Sequence, residues 1–347
     1  MNDAINSTII WPYDFCVENN NIWMIHGDIN VIFRYDYFKE KTEYENVIPL
    51  KNIFKKHMFT SIHYYDHKLF LIPLRADIIM IYHINEKRFT RLKMPIEPLS
   101  MYFQETASLG KYLYCFPCVG NSHIIKIDME KQIIEKDILV NYDYKNQNIN
   151  GICEHNGNLI CPIYPTNRCL ILDTTTDEIK IKSFGDEKNN FNTIICLNNT
   201  VYIHSFDSSC IYKIDIEDGS YEKEIDIKKD KFIFAGTIGD KLLIEFQQSK
   251  EKLLVDLKTK KIKNSFEDLG VLHREYDYDY GVLKKYKDEI FYFNRTNNVL
   301  YKVKGNECEK KYIWLKDDRF DELLKQNTEG LIAESSVFNL QRFISNI

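Results

Sequence analysis

Short apolar runs recur along this chain, and five of them end in an aspartate. "IFRYD" closes at Asp36, "IIKID" at Asp128, "LILD" at Asp173, "IYKID" at Asp215 and "LLVD" at Asp256. One and three residues before the aspartate the side chains are apolar in all five copies: Tyr35/Phe33, Ile127/Ile125, Leu172/Leu170, Ile214/Tyr212 and Val255/Leu253. The position between them admits Arg34, Lys126 and Lys213. A two-residue period of this kind predicts strands, whose side chains point alternately to opposite faces. The last four aspartates are 45, 42 and 41 residues apart. Asp36 precedes Asp128 by 92 residues, and "IIMIYHINEKRF" (78–89) fills the gap with its aspartate lost. "VLYKVKG" (299–305) continues the series after Asp256, which makes seven units.

Each unit contains three further segments of the same kind. A first segment ends in a polar turn, as in "SIHYYDHK" (61–68). A strongly apolar second segment follows, such as "LFLIP", "YLYCFP" or "LLIEF", and a charged fourth segment such as "YEKEIDI" closes the unit. Segments of four to seven residues rich in Ile, Val, Tyr and Phe are too short for helices and read as strands. Four strands at a period of roughly 40–50 residues is the pattern of β-propeller blades, which bury both faces by stacking in a closed ring. The first segments carry small residues suited to a crowded axis: Cys16, Ala107-Ser108, Gly151 with Cys153, and Ala235-Gly236-Thr237.

The expected fold is therefore all-β: a seven-bladed β-propeller of four-stranded antiparallel blades over residues 1–315. Residues 316–347 differ, with helical spacing at Leu323, Leu324, Leu331, Val337, Phe338, Leu340, Phe343 and Ile344. They predict a short C-terminal helical tail, broken near Gly330, that packs on the propeller or docks into a partner's groove. With its aspartate after the third strand, the chain resembles kelch-type and quinoprotein-type propellers over residues ~14–315. That resemblance implies the fold and carries over no family's active site, since the WD40 Gly-His…Trp-Asp pair and the kelch double glycine are missing. The recurring aspartates are expected to cap a tight turn by accepting its backbone amides.

Composition narrows the possible partners. With 44% hydrophobic and 28% charged residues, the 347-residue chain has material for a substantial core. Its net charge of −5 gives no general pull toward nucleic acid or an anionic membrane, and neither is expected as a partner. "MNDAINSTIIWPYDF" lacks the basic and apolar regions of a signal peptide. No run approaches the ~18 apolar residues of a membrane span. Nine cysteines, odd in number and scattered from Cys16 to Cys308, suit reduced thiols in a cytoplasmic protein.

Chemistry is expected where connections gather around the ring axis. The second-to-third connections bring His26 and Asp28, Arg75 and Asp77, Asn121 and His123, Asn167 and Arg168, Asp207, Gln247, and Asn294 with Arg295, and the starts of the first strands add Asp14, Glu105 and Asn192. Arg75, Arg168 and Arg295 could converge on an anion through their guanidinium forks, or serve as ordinary polar loops with internal salt bridges. Two tyrosine-rich stretches, 141–148 with Tyr142 and Tyr144 and 274–281 with Tyr278 and Tyr280, could present flat amphipathic surface to a sugar or peptide. No cofactor and no metal are expected. Cys115 and Cys118 have zinc-knuckle spacing, but their odd separation within a strand points the sulfurs apart. His63, Asp66 and His67 straddle a strand and its turn and read as structural. Glycine-rich phosphate loops and Gly-x-Ser-x-Gly motifs are missing.

Three functions fit these residues. The first is a non-catalytic module that binds a protein partner or a small polar or anionic ligand, a sugar or peptide, on the axial face. The second is a lyase or hydrolase acting on a sugar or peptide, with His26, His123, Glu105 or Asp207 as acid or base. The third is an accessory subunit of a biosynthetic complex, docked through its C-terminal helices.

Overall fold

The computed structural model describes residues 8–9, 12–51, 55–96, 99, 101–206, 208–227, 231–246, 252–264, 282–294, 298–304 and 307–323. They form seven sheets whose four blade strands run antiparallel, each built mainly from one contiguous stretch: 12–47, 59–93, 103–139, 148–183, 191–226, 232–264 and 282–312. These are blades 1 to 7 of a β-propeller. The first strand of each stretch lies at one edge of its sheet and the fourth toward the other.

The second segments are apolar throughout because they are buried on both faces. In blade 2, Leu69 and Leu71 of the strand Lys68–Pro73 face blade 1 and join a core with Trp23, Ile25 and Ile32. Phe70 and Ile72 of the same strand face blade 3 and pack with Leu113, Cys115 and Ile125. Each such fully buried side chain contributes roughly 1.5–3 kcal/mol, and it is the neighbouring blade that buries it. One blade alone would leave both faces wet.

All five recurring aspartates cap a turn. Asp36 accepts from the amides of Phe38 and Lys39, Asp128 from Lys131, Asp173 from Thr175 and Thr176, Asp215 from Glu217 and Asp218, and Asp256 from Thr259. In blade 2, His83 stands where the aspartate is lost, and its Nε2 lies 2.9 Å from the Thr90 hydroxyl.

Two details depart from four strands per blade. The first strand of blade 4 is split into Asn148–Ile149 and Cys153–His155, both paired with Asn158–Tyr164. Blade 1 carries six strands: Trp314–Leu315 lies parallel to its outer strand Lys41–Val47, and Thr8–Ile9 pairs beyond it. The chain after blade 7 thus returns to blade 1 and fastens the ring from outside. One helical turn follows at 318–323, with Phe320 buried against Phe33 and Tyr44. The remaining part of the expected helical tail, from Leu324 on, lies outside the described residues.

The first strands are innermost yet only half-buried. Phe232–Ile238 is buried at its first residue alone, whereas the adjacent Lys241–Phe246 is buried at every position after its first. The first strands line an axial channel.

Candidate functional site in the axial channel

A repeated irregularity shapes this channel. In blades 1, 2, 3 and 5 the pairing of first and second strands slips by one residue, between Pro12 and Asp14, Phe59 and Ser61, Phe103 and Glu105, and Phe191 and Thr193. A bulge leaves one residue unpaired and re-aims its neighbours, so polar side chains collect at this level in place of strict alternation. In blade 4 the break between the two half-strands falls at the same level, at Asn150 and Gly151. Gly151 has φ +72, a conformation glycine adopts without strain.

The polar groups at this level link one blade to the next. Asp14 of blade 1 accepts from the Ile62 amide of blade 2 at 3.0 Å. The Thr60 hydroxyl of blade 2 donates to the Gln104 carbonyl of blade 3 at 3.1 Å. Glu105 of blade 3 accepts from the Gly151 amide of blade 4 at 3.0 Å through Oε1. The Thr193 hydroxyl of blade 5 accepts from the Phe234 amide of blade 6 at 3.3 Å. Lys284 of blade 7 closes the circuit on Asp14, with Nζ 2.9 Å from Oδ1. Four side-chain amides form a belt alongside. Asn148 donates to Gln104 at 3.2 Å, Gln104 donates to Asn150 at 2.8 Å, and Asn150 donates to Asn192 at 2.7 Å.

Burial sets the protonation of the channel groups. Desolvation pushes the Glu105 carboxyl up to about 7; the nearby Asp14 charge adds to this, while the Gly151 amide and Lys284 oppose it. Its Oε2 has no protein partner among the described residues, so the group can donate or accept a proton near neutrality. Desolvation, with Lys284 nearby, pushes His63 down to about 3. The His63 ring is therefore neutral. Its Nε2 lies 2.8 Å from the Thr106 hydroxyl, which in turn donates to Ser61 at 2.9 Å, so Nε2 carries the proton. The Cys16 thiol is raised by burial and by Asp14, which keeps it from acting as a thiolate.

Of the residues singled out in the sequence, Asp14, Glu105 and Asn192 meet in this channel. His26 accepts from the amides of Asp28 and Ile29 through Nδ1, and burial pushes it down to about 4. His123 pairs through Nδ1 with Asp137 on the outer strand of blade 3, at 2.8 Å. Asn121 is buried, donating to the Tyr102 carbonyl and accepting from the His123 amide. Asn167 donates to the Gly185 carbonyl at 3.4 Å. Tyr142 is buried and donates to the Asn121 carbonyl, while Tyr144 is exposed. Arg168 donates to the Gln147 side chain at 3.0 Å, and Arg75 is exposed. Asp207, Gln247, Arg295, Tyr278 and Tyr280 lie outside the described residues. Cys115 sits in the core between blades 2 and 3, whereas the Cys118 thiol reaches Gln104, so the two sulfurs point apart.

Lys284, His63, Gln104, Asn148 and Asn150 were not singled out for function in the sequence. A signal for part of this set does exist there. An aromatic residue followed by two polar ones opens three first strands, as Phe59-Thr60-Ser61, Phe103-Gln104-Glu105 and Phe191-Asn192-Thr193. Two polar residues in a row break the strand alternation, and a bulge lets both reach the axis.

No protein-family model matches the chain, and no curated protein sequence matches it. Solved structures are similar in fold. Virginiamycin B lyase from Staphylococcus aureus superposes with a TM-score of 0.64 at 10% identity, over 82% of this chain and 92% of that one. YCF48 bound to D1 peptide gives 0.59 at 10% identity, over 89% and 92%. KlHsv2 with loop 6CD replaced by a Gly-Ser linker gives 0.56 at 10% identity, over 89% and 96%. At such identity the likeness establishes the β-propeller fold and no activity.

Proposed function

We propose that this propeller is a ligand-binding module whose axial channel takes a small polar molecule, a sugar or a short peptide. The observation that carries this reading is the Oε2 of Glu105, without a partner among the described residues, beside a belt of four amides that includes its neighbour Gln104. Side-chain amides offer donors and acceptors together, which matches hydroxyl and peptide groups. Fold neighbours include a propeller in complex with a peptide, YCF48, and this agrees with a binding role. Calorimetric titration of a panel of mono- and disaccharides and short peptides tests the idea. A panel member should bind the wild type, and Asn150→Ala should weaken it by about 1–3 kcal/mol, because Gln104 and Asn192 lose their partner. If no panel member binds, or if Asn150→Ala and Glu105→Gln both bind as the wild type does, the axial reading is wrong.

A second reading is a lyase or hydrolase with Glu105 as acid or base. It is favoured by one observation: burial holds this carboxyl at about 7, where a proton can be exchanged at working pH. A fold neighbour is a lyase. Mass spectrometry of the bound panel member after incubation separates the two. Conversion that disappears in Glu105→Gln supports the enzyme, whereas a ligand recovered unchanged supports the binding module.

A further inference from the structure

A second recognition surface lies away from the axis, where the chain passes from blade 1 to blade 2. A groove of about 660 Å³ opens there, lined by Pro49, Leu50, Lys51, Asp77, Ile78, Arg91 and Lys93. Its floor is the uncovered edge of the core between blades 1 and 2, since Leu50 and Ile78 are half-buried members of that core. Its walls are basic. Arg91 and Lys93, two residues apart on the outer strand Arg88–Lys93, project from one face of the strand, and Lys93 stands opposite Ile78 in register. Lys51 comes from the blade connection. Three cations and one carboxylate, Asp77, line the groove, and all four side chains are exposed.

Many surface cations are matched by carboxylates, as Arg34 with Glu43, Lys136 with Asp177, Lys223 with Asp226 and Lys260 with Glu224. Among the described residues, Lys51, Arg91 and Lys93 have no carboxylate within ion-pair distance, and Arg91 donates only to the Pro49 carbonyl, at 3.1 Å. On a chain of net charge −5, a patch of unmatched positive charge makes a local attraction that the whole molecule lacks.

We propose that this groove docks an extended acidic segment of a protein partner. An apolar side chain of the segment would rest on Leu50 and Ile78 while flanking carboxylates pair with Lys51, Arg91 and Lys93. The apolar floor favours a peptide over an inorganic anion or a nucleic-acid backbone, neither of which brings a hydrocarbon side chain to cover it. The site is independent of the axial channel.

The test is fluorescence anisotropy with a labelled eight-residue peptide of glutamates around a central leucine. The wild type should bind it saturably, and should not bind the same peptide with lysines for glutamates. The double variant Arg91→Glu/Lys93→Glu should weaken binding at least tenfold. It loses no ion pair, so its unchanged thermal melt verifies that it is folded. Replacing the central leucine by serine should weaken binding severalfold, and raising salt from about 50 to 300 mM should weaken it further. Glu105→Gln should bind the peptide as the wild type does. Absence of saturable binding, or equal binding by the double variant, overturns the proposal. Displacement by inorganic phosphate at the peptide's own concentration would identify a simple anion site instead. Tighter binding of a single-stranded oligonucleotide would assign the groove to nucleic acid. Either result overturns the peptide assignment.

Discussion

Glu105 and His63 line the same channel, and burial moves their proton equilibria in opposite directions. Each is driven toward its neutral form, up to about 7 for the acid and down to about 3 for the base. The consequences for stability have opposite signs. Unfolded, Glu105 releases its proton near its ordinary value of 4.5; folded, it holds it to about 7. The native state therefore binds more protons across that window, and the Glu105 contribution falls as pH rises through it. His26, His63 and His204 are all depressed, so the unfolded state binds more protons below their ordinary value of 6.5, and stability is lost as pH falls toward 4. Glu105→Gln isolates the first effect, because the histidines are common to both proteins. Its unfolding free energy relative to wild type should increase by about 1–3 kcal/mol between pH 5 and pH 8. Urea denaturation at the two pH values measures this. A constant difference would mean that Glu105 titrates normally.

Among the elements, the aspartate-capped turn found after five of the seven third strands is the unit that repeats. Its aspartates perform one job in different surroundings. Asp128 is fully buried and is also held by Lys111 at 3.2 Å, whereas Asp173 bonds the amides and hydroxyl of its own exposed turn. Asp128→Ala should cost about 1–3 kcal/mol, since it removes a charged acceptor and leaves an amide and a lysine without it. Asp173→Ala should cost clearly less, because water can replace the lost bonds. Chemical denaturation of the two variants side by side checks the order, and equal costs would show that burial adds nothing to the cap. The first strands are the less regular element. Their bulges trade pairing within a blade for bonds to the next, as with Asp14 to Ile62 and Glu105 to Gly151.

For the whole molecule, the question is how a linear series of blades is closed. Among the described residues, no blade takes a strand from the opposite end of the chain to complete its four. Closure rests on contacts between blades 7 and 1: Phe291, Phe293 and Leu300 pack into the blade 1 core, Tyr37 bonds Glu309, Tyr286 bonds Asn19 at 3.2 Å, and Trp314–Leu315 lies along the outer strand of blade 1. On the channel side the seam is held by Lys284 and the buried Asp14. Lys284→Met leaves that carboxylate with the Ile62 amide as its remaining partner. The cost should be about 1–3 kcal/mol, below that of a fully buried pair because Lys284 retains 30% of its side-chain surface. Adding Asp14→Asn should recover part of the loss, since the asparagine still accepts from Ile62 and carries no charge. Thermal melts of the single and double variants measure the closure. A double variant less stable than Lys284→Met would show that the Asp14 charge has another partner.

The repeat itself was written in the chain. A strand period of two, a unit period near 40–50 residues and an aspartate after five of the seven third strands suffice for blade number and order, because they depend on neighbours a few residues apart. Burial on both faces of the second strands was legible for the same reason: a continuous apolar run has to be covered twice. What sits in the channel was legible only in part. Asp14 and Glu105 could be placed at strand starts, yet their meeting with Lys284, 270 residues from Asp14 along the chain, depends on the ring being closed. His63 looked like half of a poor metal motif, and it faces Thr106 of the next blade because a bulge slips the register above it. The groove of Lys51, Arg91 and Lys93 likewise required two blades side by side. Local alternation determines which residues form strands. Which side chains face one another across the axis is decided by the closure of the ring, through contacts whose separation in sequence no local pattern encodes.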